Sequence, residues 1–296
     1  MRVQTLLAIL YVFLWASAFI PSRILCANAT PLWVLVLRFG ITGAILIGIA
    51  LAVRAPLPRS AREWGQIVLL GALANAVYLG LSYESLRHLS AGMGAIIFST
   101  NPLVLALIAP VTIGEALTRR KAFGLVFGFG GVVAMMLGRA GSPSAQFGDE
   151  LLLFAAVICF AFSTLVYKRI RPDADLLVVT AFQIAAASLV LIPFALLFEP
   201  VPLIPRTPEI VGSFVYLIVA ISIGASFLWF WILRHGEATR VSSFYFLTPV
   251  FGLGLAALLL REPVRWEDAL GLAAICGGIA LVVRAPRPQP EPEPLA

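Results

Sequence analysis

The side chains in this sequence that could do chemistry are of the kind that hold a solute rather than cut one. Asn75, Tyr78 and Ser82 recur at i, i+3 and i+7, which puts an amide, a phenol and a hydroxyl on one helix face. Trp15, Asn101, Ser163 and Gln183 stand deep in other apolar stretches, and Trp231, Phe244 and Tyr245 follow in later ones. Asn and Gln surrounded by apolar neighbours need hydrogen-bond partners. Aromatic faces with a few amides make a wall suited to a flat organic solute. Taken singly, each of these residues is accounted for by helix packing with internal hydrogen bonds. Taken together, they favour one cavity.

Groups that make or break bonds are missing. There is no HExxH, no GxSxG and no pair of deep carboxylates. Gly124-x-x-x-Gly128, with Gly130 and Gly131 beyond it, has no Walker-type Lys after it, so it reads as close helix packing or a homodimer contact rather than a nucleotide loop. Cys26, Cys159 and Cys276 are too far apart for a metal pair. His88 and His235 both fall at the ends of apolar runs beside an arginine. No metal, no cofactor and no enzymatic activity are therefore expected. Pro102 and Pro249 each lie inside an apolar run, where the lost N–H predicts a kink and free carbonyls on Phe98 and Tyr245. Arg38 reads three ways: it binds a carboxylate, it snorkels outward, or it caps carbonyls within the bundle. Glu115 and Glu262 are expected at the membrane boundary, paired with Arg119 or Arg265.

Composition says which kind of scaffold holds these side chains. Sixty per cent of the chain is hydrophobic and 12% charged, against about half and a quarter in a soluble domain. The apolar runs are continuous over about twenty residues, the length of a membrane-spanning helix rather than of an alternating barrel strand. The chain is thus expected to be an all-α integral membrane protein with ten transmembrane helices, near 3–22, 31–53, 64–86, 91–113, 122–138, 149–167, 175–198, 208–233, 238–260 and 266–283. With the N-terminus inside, fourteen Lys and Arg fall in cytoplasmic loops, six outside and Arg38 within a span. That bias puts both termini in the cytoplasm. It also explains the net charge of +6 as topology, not as a nucleic-acid surface. Ala16-Ser17-Ala18 has the shape of a signal-peptide cleavage site, but cleavage would remove a span that the repeat described next requires.

A shift of 147 residues brings the two halves into register. Ala91 meets Ala238, Pro102 meets Pro249, Glu115 meets Glu262, Gly124 meets Gly271, and Gly130-Gly131 meets Gly277-Gly278. The chain divides into one repeat over 1–141, a second over 142–284, and a Pro-rich tail over 285–296 that is expected to be disordered. Five helices per repeat is an odd number, so the second repeat enters the membrane from the opposite side. Inverted repeats are the architecture of many secondary transporters, with the site at the repeat interface.

These residues carry a resemblance. Trp15-Ala16-Ser17-Ala18-Phe19, Arg38-Phe39, Ser90-Ala91-Gly92, Asn101-Pro102 and Gly114-Glu115-Ala116-Leu117-Thr118 are echoed by Ala238, Thr248-Pro249, Arg261-Glu262-Pro263 and Gly271. The order and spacing resemble the drug/metabolite transporter superfamily with two EamA-type domains, and within it the bacterial aromatic amino-acid exporters of the YddG type. The resemblance implies a multi-pass protein of a bacterial-type inner membrane that exports small organic solutes. Aromatic or other amino acids are then the expected substrates, moved by alternating access through a central cavity. One departure stands out: Ala185 lies opposite Arg38, so any role of that arginine is not symmetric. The carboxylates Glu84, Glu115, Glu150, Asp175, Glu199 and Glu262 cluster at span ends, which predicts movement down the solute's own gradient without a coupled ion.

Overall fold

The computed structural model describes residues 2–114, 117–139, 147–170, 174–234, 244 and 247–283. Among these, seven helices are long and apolar enough to cross a membrane: Thr5–Asn28, Pro31–Ala52, Ala61–Ser85, Ala91–Thr112, Phe147–Ile170, Leu176–Phe198 and Pro208–Leu228. Arg119–Arg139, Thr248–Leu259 and Trp266–Val283 complete a set of ten helical positions, numbered here as spans 1 to 10 in chain order. Several starts are set by side chains that the sequence supplies for the purpose. Ser60, Ser90, Asp175 and Thr207 each accept a backbone N–H of the first turn of spans 3, 4, 7 and 8, worth about 1 kcal/mol apiece.

The packing has the symmetry of two swapped halves. Span 2 packs on span 7, span 4 on span 9, and span 5 on span 10. Span 1 packs on span 8 while span 3 packs on span 6. Exchange the repeats and every one of these pairs maps onto itself or onto another pair. With five spans in each half, the two repeats are inverted. Between helices in lipid the driving force is close van der Waals contact, which needs small residues. A methyl group at Gly43 would stand 2.8 Å from the Cβ of Ala185, and one at Gly71 would strike the Gln183 carbonyl. Gly124 and Gly278 hold spans 5 and 10 together in the same way. Gly130 and Gly277 face open space.

Two features refine the expected helices. Spans 3 and 8, equivalent under the repeat, both carry a π-helical segment, Ala72–Val77 and Leu217–Ala225. Such segments are rare and cluster at functional sites. Pro102 and Pro249 do not sit in the middle of bent helices. Span 4 breaks into Ala91–Phe98 and Asn101–Ile113, and Pro102 occupies the first turn of the new segment, where its missing N–H costs nothing. Ser99 and Thr100 fill the break, each donating its hydroxyl to a carbonyl three residues back. Pro249 likewise stands in the first turn of Thr248–Leu259. Tyr245, Glu115, His235 and the tail 285–296 lie outside the described residues.

Candidate functional site

The two halves enclose a cavity of about 430 Å³. Six of the ten site residues expected from the sequence line it: Trp15, Asn75, Tyr78, Ser82, Ser163 and Gln183. Asn101 instead faces a smaller cavity of about 60 Å³, together with Pro102, Ser99 and Thr248. Trp231 lies on the exposed side of span 8 and lines neither. It is nine residues beyond Ser222, half a turn out of phase with that cavity-facing hydroxyl. Phe244 packs on the satellite cluster of Ala8, Tyr11, Val12, Ala225 and Ile232.

An aromatic wall separates the two cavities. Tyr11, Trp15 and Phe160 line both. Phe160 stands 4.7 Å from Tyr78, 5.5 Å from Phe98 and 6.1 Å from Trp15 between ring centroids, within the range of favourable aromatic pairs. Polar atoms are either bonded back onto the helices or left without a partner. Ser82 and Ser163 turn their hydroxyls back onto the carbonyls of Tyr78 and Phe160. Asn75 Nδ2 and Asn101 Oδ1 are buried with no hydrogen-bond partner among the described residues.

Arg38 is the charged residue of the large cavity among the described residues. Its Nε donates to Ser222 Oγ at 3.1 Å and its Nη1 to Tyr83 OH at 2.9 Å. Ser22 donates to the same Tyr83 oxygen at 3.1 Å. The guanidinium thus joins spans 2, 3 and 8, with span 1 attached through Ser22. Of the three readings offered by the sequence, snorkelling to the boundary is excluded, because Arg38 is only 6% exposed and bonded inside the bundle.

Among the described residues the cavity is closed at one end and open at the other. Ser22, Tyr83 and Leu86, on its closed side, are buried, while Tyr167 and Leu176, where spans 6 and 7 meet, are partly exposed. The closed end is joined across the halves. The Glu262 carboxylate accepts the N–H groups of Ala91 and Gly92 at 2.7 and 2.9 Å. That differs from the expected pairing with Arg265, because a helix N-terminus offers two fixed donors and a partial positive charge. Glu199 Oε2 accepts from Leu32 and Trp33 N–H at 3.0 and 3.2 Å, and the Trp33 indole donates to the Glu199 carbonyl at 2.8 Å. Thr30 and Leu203 exchange hydrogen bonds alongside. Burial pushes the Glu199 carboxyl above its ordinary value, against the two amides that favour its charged form. Glu84, by contrast, is partly exposed and pairs with Arg87 at 3.2 Å.

A model of the EamA-like transporter family matches this chain twice, over residues 3–137 and 149–284. The chain belongs to that family. Among its EamA-type relatives, the uncharacterized transporter YvbV of Bacillus subtilis is 27% identical over 289 residues, covering 97% of this chain and 93% of its own. Protein PecM of Dickeya dadantii is 25% identical over 273 residues, covering 90% of this chain and 88% of its own. A crystal structure at 20% identity superposes with a TM-score of 0.67 over 95% of this chain and 96% of that one, a likeness of fold alone. The chain is therefore a multi-pass membrane transporter of small solutes.

Sequence reasoning left out several lining residues of this EamA-type cavity. Tyr83 lies eight residues past Asn75, on the same helical face. Ser222 lies 147 residues past Asn75, so the repeat register pointed to it. Phe160 precedes Ser163 by one turn.

Proposed function

We propose that the chain is a secondary transporter exporting small organic solutes, aromatic or other amino acids and related metabolites, by alternating access. The observation that carries this reading is a cavity at the repeat interface, open at one end and closed by hydrogen bonds between the halves at the other. Loops and helix ends at the open end carry Arg54, Arg59, Arg62, Lys168 and Arg169. Under the positive-inside bias that end faces the cytoplasm, the loading side of an exporter in a bacterial-type inner membrane. Both termini are then cytoplasmic. The working units are the repeats 1–141 and 142–284, and the tail 285–296 stands outside them. The partners are the small-molecule substrate and the lipid bilayer, with no role for nucleic acid. Within the Gly-rich runs of spans 5 and 10, Gly130 and Gly277 face open space and are free for contact with a second copy.

Among the described residues no carboxylate and no histidine lines the cavity, which supports movement of the solute down its own gradient. The test is flux of aromatic amino acids into liposomes holding the purified chain. Saturable flux that is unchanged by a proton ionophore is expected. Replacing Trp15 or Tyr78 with Ala should cut that flux without lowering the yield of folded protein. Concentrative uptake driven by a pH gradient alone would overturn the uncoupled reading, and normal flux in both variants would overturn the cavity.

A further inference from the structure

We propose that Arg38 is the substrate's carboxylate anchor and that the cavity therefore selects organic monoanions with an apolar or aromatic body, accepts zwitterions less well, and rejects cationic amines. This rests on the transporter reading and names the chemistry of its solute.

Arg38 carries a charge with no counter-charge beside it among the described residues. Arginine does not lose its proton in a protein, and a charge inside a membrane bundle is normally paired. Among the described residues Arg38 is bonded only to the neutral oxygens of Ser222 and Tyr83, and no carboxylate lies within 4 Å of it. The ring of Phe39, 5.7 Å from the guanidinium carbon, offers partial compensation. A guanidinium has five donors in a flat fork. Two are spent on Ser222 and Tyr83, which leaves Nη2 and the second Nη1 hydrogen with no partner among the described residues. A carboxylate is the group that matches such a fork with two parallel hydrogen bonds.

The rest of the cavity fits the body of the solute. Asn75 lines the cavity on the same side as Tyr83, because both belong to span 3. Tyr78 lies five residues before Tyr83, about 7.5 Å along the helix axis toward the open end. There Tyr78, Phe160 and Trp15 form the aromatic wall. An acid therefore binds with its carboxylate deep, near the closed end, and its ring against that wall. An ammonium group on the same molecule finds only neutral amides, hydroxyls and ring faces among the described lining residues. A solute with an ammonium and no carboxylate meets Arg38 with like charge.

The second repeat sharpens the point. Ala185 stands where Arg38 would be repeated, so the anchor is single and one carboxylate is held at a time. Dicarboxylates gain nothing from their second charge.

The experiment is equilibrium binding to the purified full chain in detergent, with 3-phenylpropionate, phenylalanine, phenylalaninamide and phenethylamine as probes, followed by flux of the same four into liposomes. The expected order of affinity is 3-phenylpropionate, then phenylalanine, with phenylalaninamide and phenethylamine at least roughly tenfold weaker. Arg38→Gln should lower affinity for 3-phenylpropionate on the order of 100-fold and leave benzyl alcohol, an uncharged aryl probe, unchanged. A merely structural arginine would weaken both probes together. The wild-type series alone decides the matter if the variant does not fold. Equal binding of the amine and the acid, or no binding of the acid at millimolar concentration, would overturn the proposal. Carboxylate binding without flux of any probe would instead sink the transporter reading and leave the anchor standing.

Discussion

The two ends of the helix bundle are built from the same repeat and yet behave differently. At the closed end, side chains of one half reach backbone groups of the other: Glu262 to Ala91 and Gly92, Glu199 to Leu32 and Trp33, Ser85 to the Asp149 carbonyl. At the other end the cavity parts the halves between Leu70, Tyr167 and Leu176. Helix packing in lipid is not driven by water, so small polar contacts of this kind decide which end stays shut. A contact made by one carboxylate to two N–H groups at a helix start is also easily released whole. The difference between the ends teaches that closure is a set of discrete stitches, each of which can be cut or locked separately.

The largest effect should come from making one stitch permanent. Thr30 and Leu203 already exchange hydrogen bonds across the halves. A Thr30→Cys, Leu203→Cys pair, oxidised in the membrane, should reduce solute flux to background, with recovery on reduction. Full flux through the oxidised protein would mean that this end never opens. A smaller effect should follow from cutting a stitch. Glu262→Ala removes two charge-assisted hydrogen bonds; a net loss of about 2 kcal/mol in the closed arrangement is roughly 30-fold in population. A cysteine at Thr30 should then react faster with an impermeant maleimide added from the outside. An unchanged rate would show that Glu262 does not hold the closure.

Those stitches mark the boundary of what the sequence makes legible. Ten spans, two halves and an odd count per half follow from apolar runs and a register shift, because bilayer thickness and pseudo-symmetry act on every residue alike. Asn75, Tyr78, Ser82, Ser163 and Gln183 were legible because a polar group in an apolar run has few explanations. Glu262 was not, since its partners lie 171 and 170 residues away, while the charges near it in sequence are Arg261 and Arg265. The π-helical segments at Ala72–Val77 and Leu217–Ala225 left no trace that periodicity could detect. Trp231 shows the reverse error: aromatic character suggested the site, while its phase relative to Ser222 points away from it.

The smallest effect should be a response to pH at the other stitch. Glu199 carries a carboxyl raised above its ordinary value of 4.5, chiefly by burial. Its Oε1 is buried with no partner among the described residues, while Oε2 takes both N–H groups. A raised value means that the closed arrangement binds a proton more tightly than an opened, solvated Glu199 does. The sign follows: protonation favours closure, fully below the ordinary carboxyl value, and that contribution is lost as pH rises through the raised value. Acid slows maleimide labelling by itself, because the thiolate is the nucleophile, so the reading is a ratio: lowering the external pH toward 4.5 should slow labelling of a Thr30→Cys reporter more with Glu199 present than with Gln in its place, by less than roughly tenfold, since a tenfold difference in proton affinity between the two arrangements already requires about 1.4 kcal/mol. Glu199→Gln, which keeps a carbonyl oxygen for Leu32 and Trp33 and has no proton to lose, should label at a rate that follows the thiolate fraction of the reporter alone. If the ratio of the two rates is flat with pH, or shifts in favour of the Glu199 protein on acidification, Glu199 does not titrate in the closure, and the N–H groups of span 2 hold it as a fixed anion.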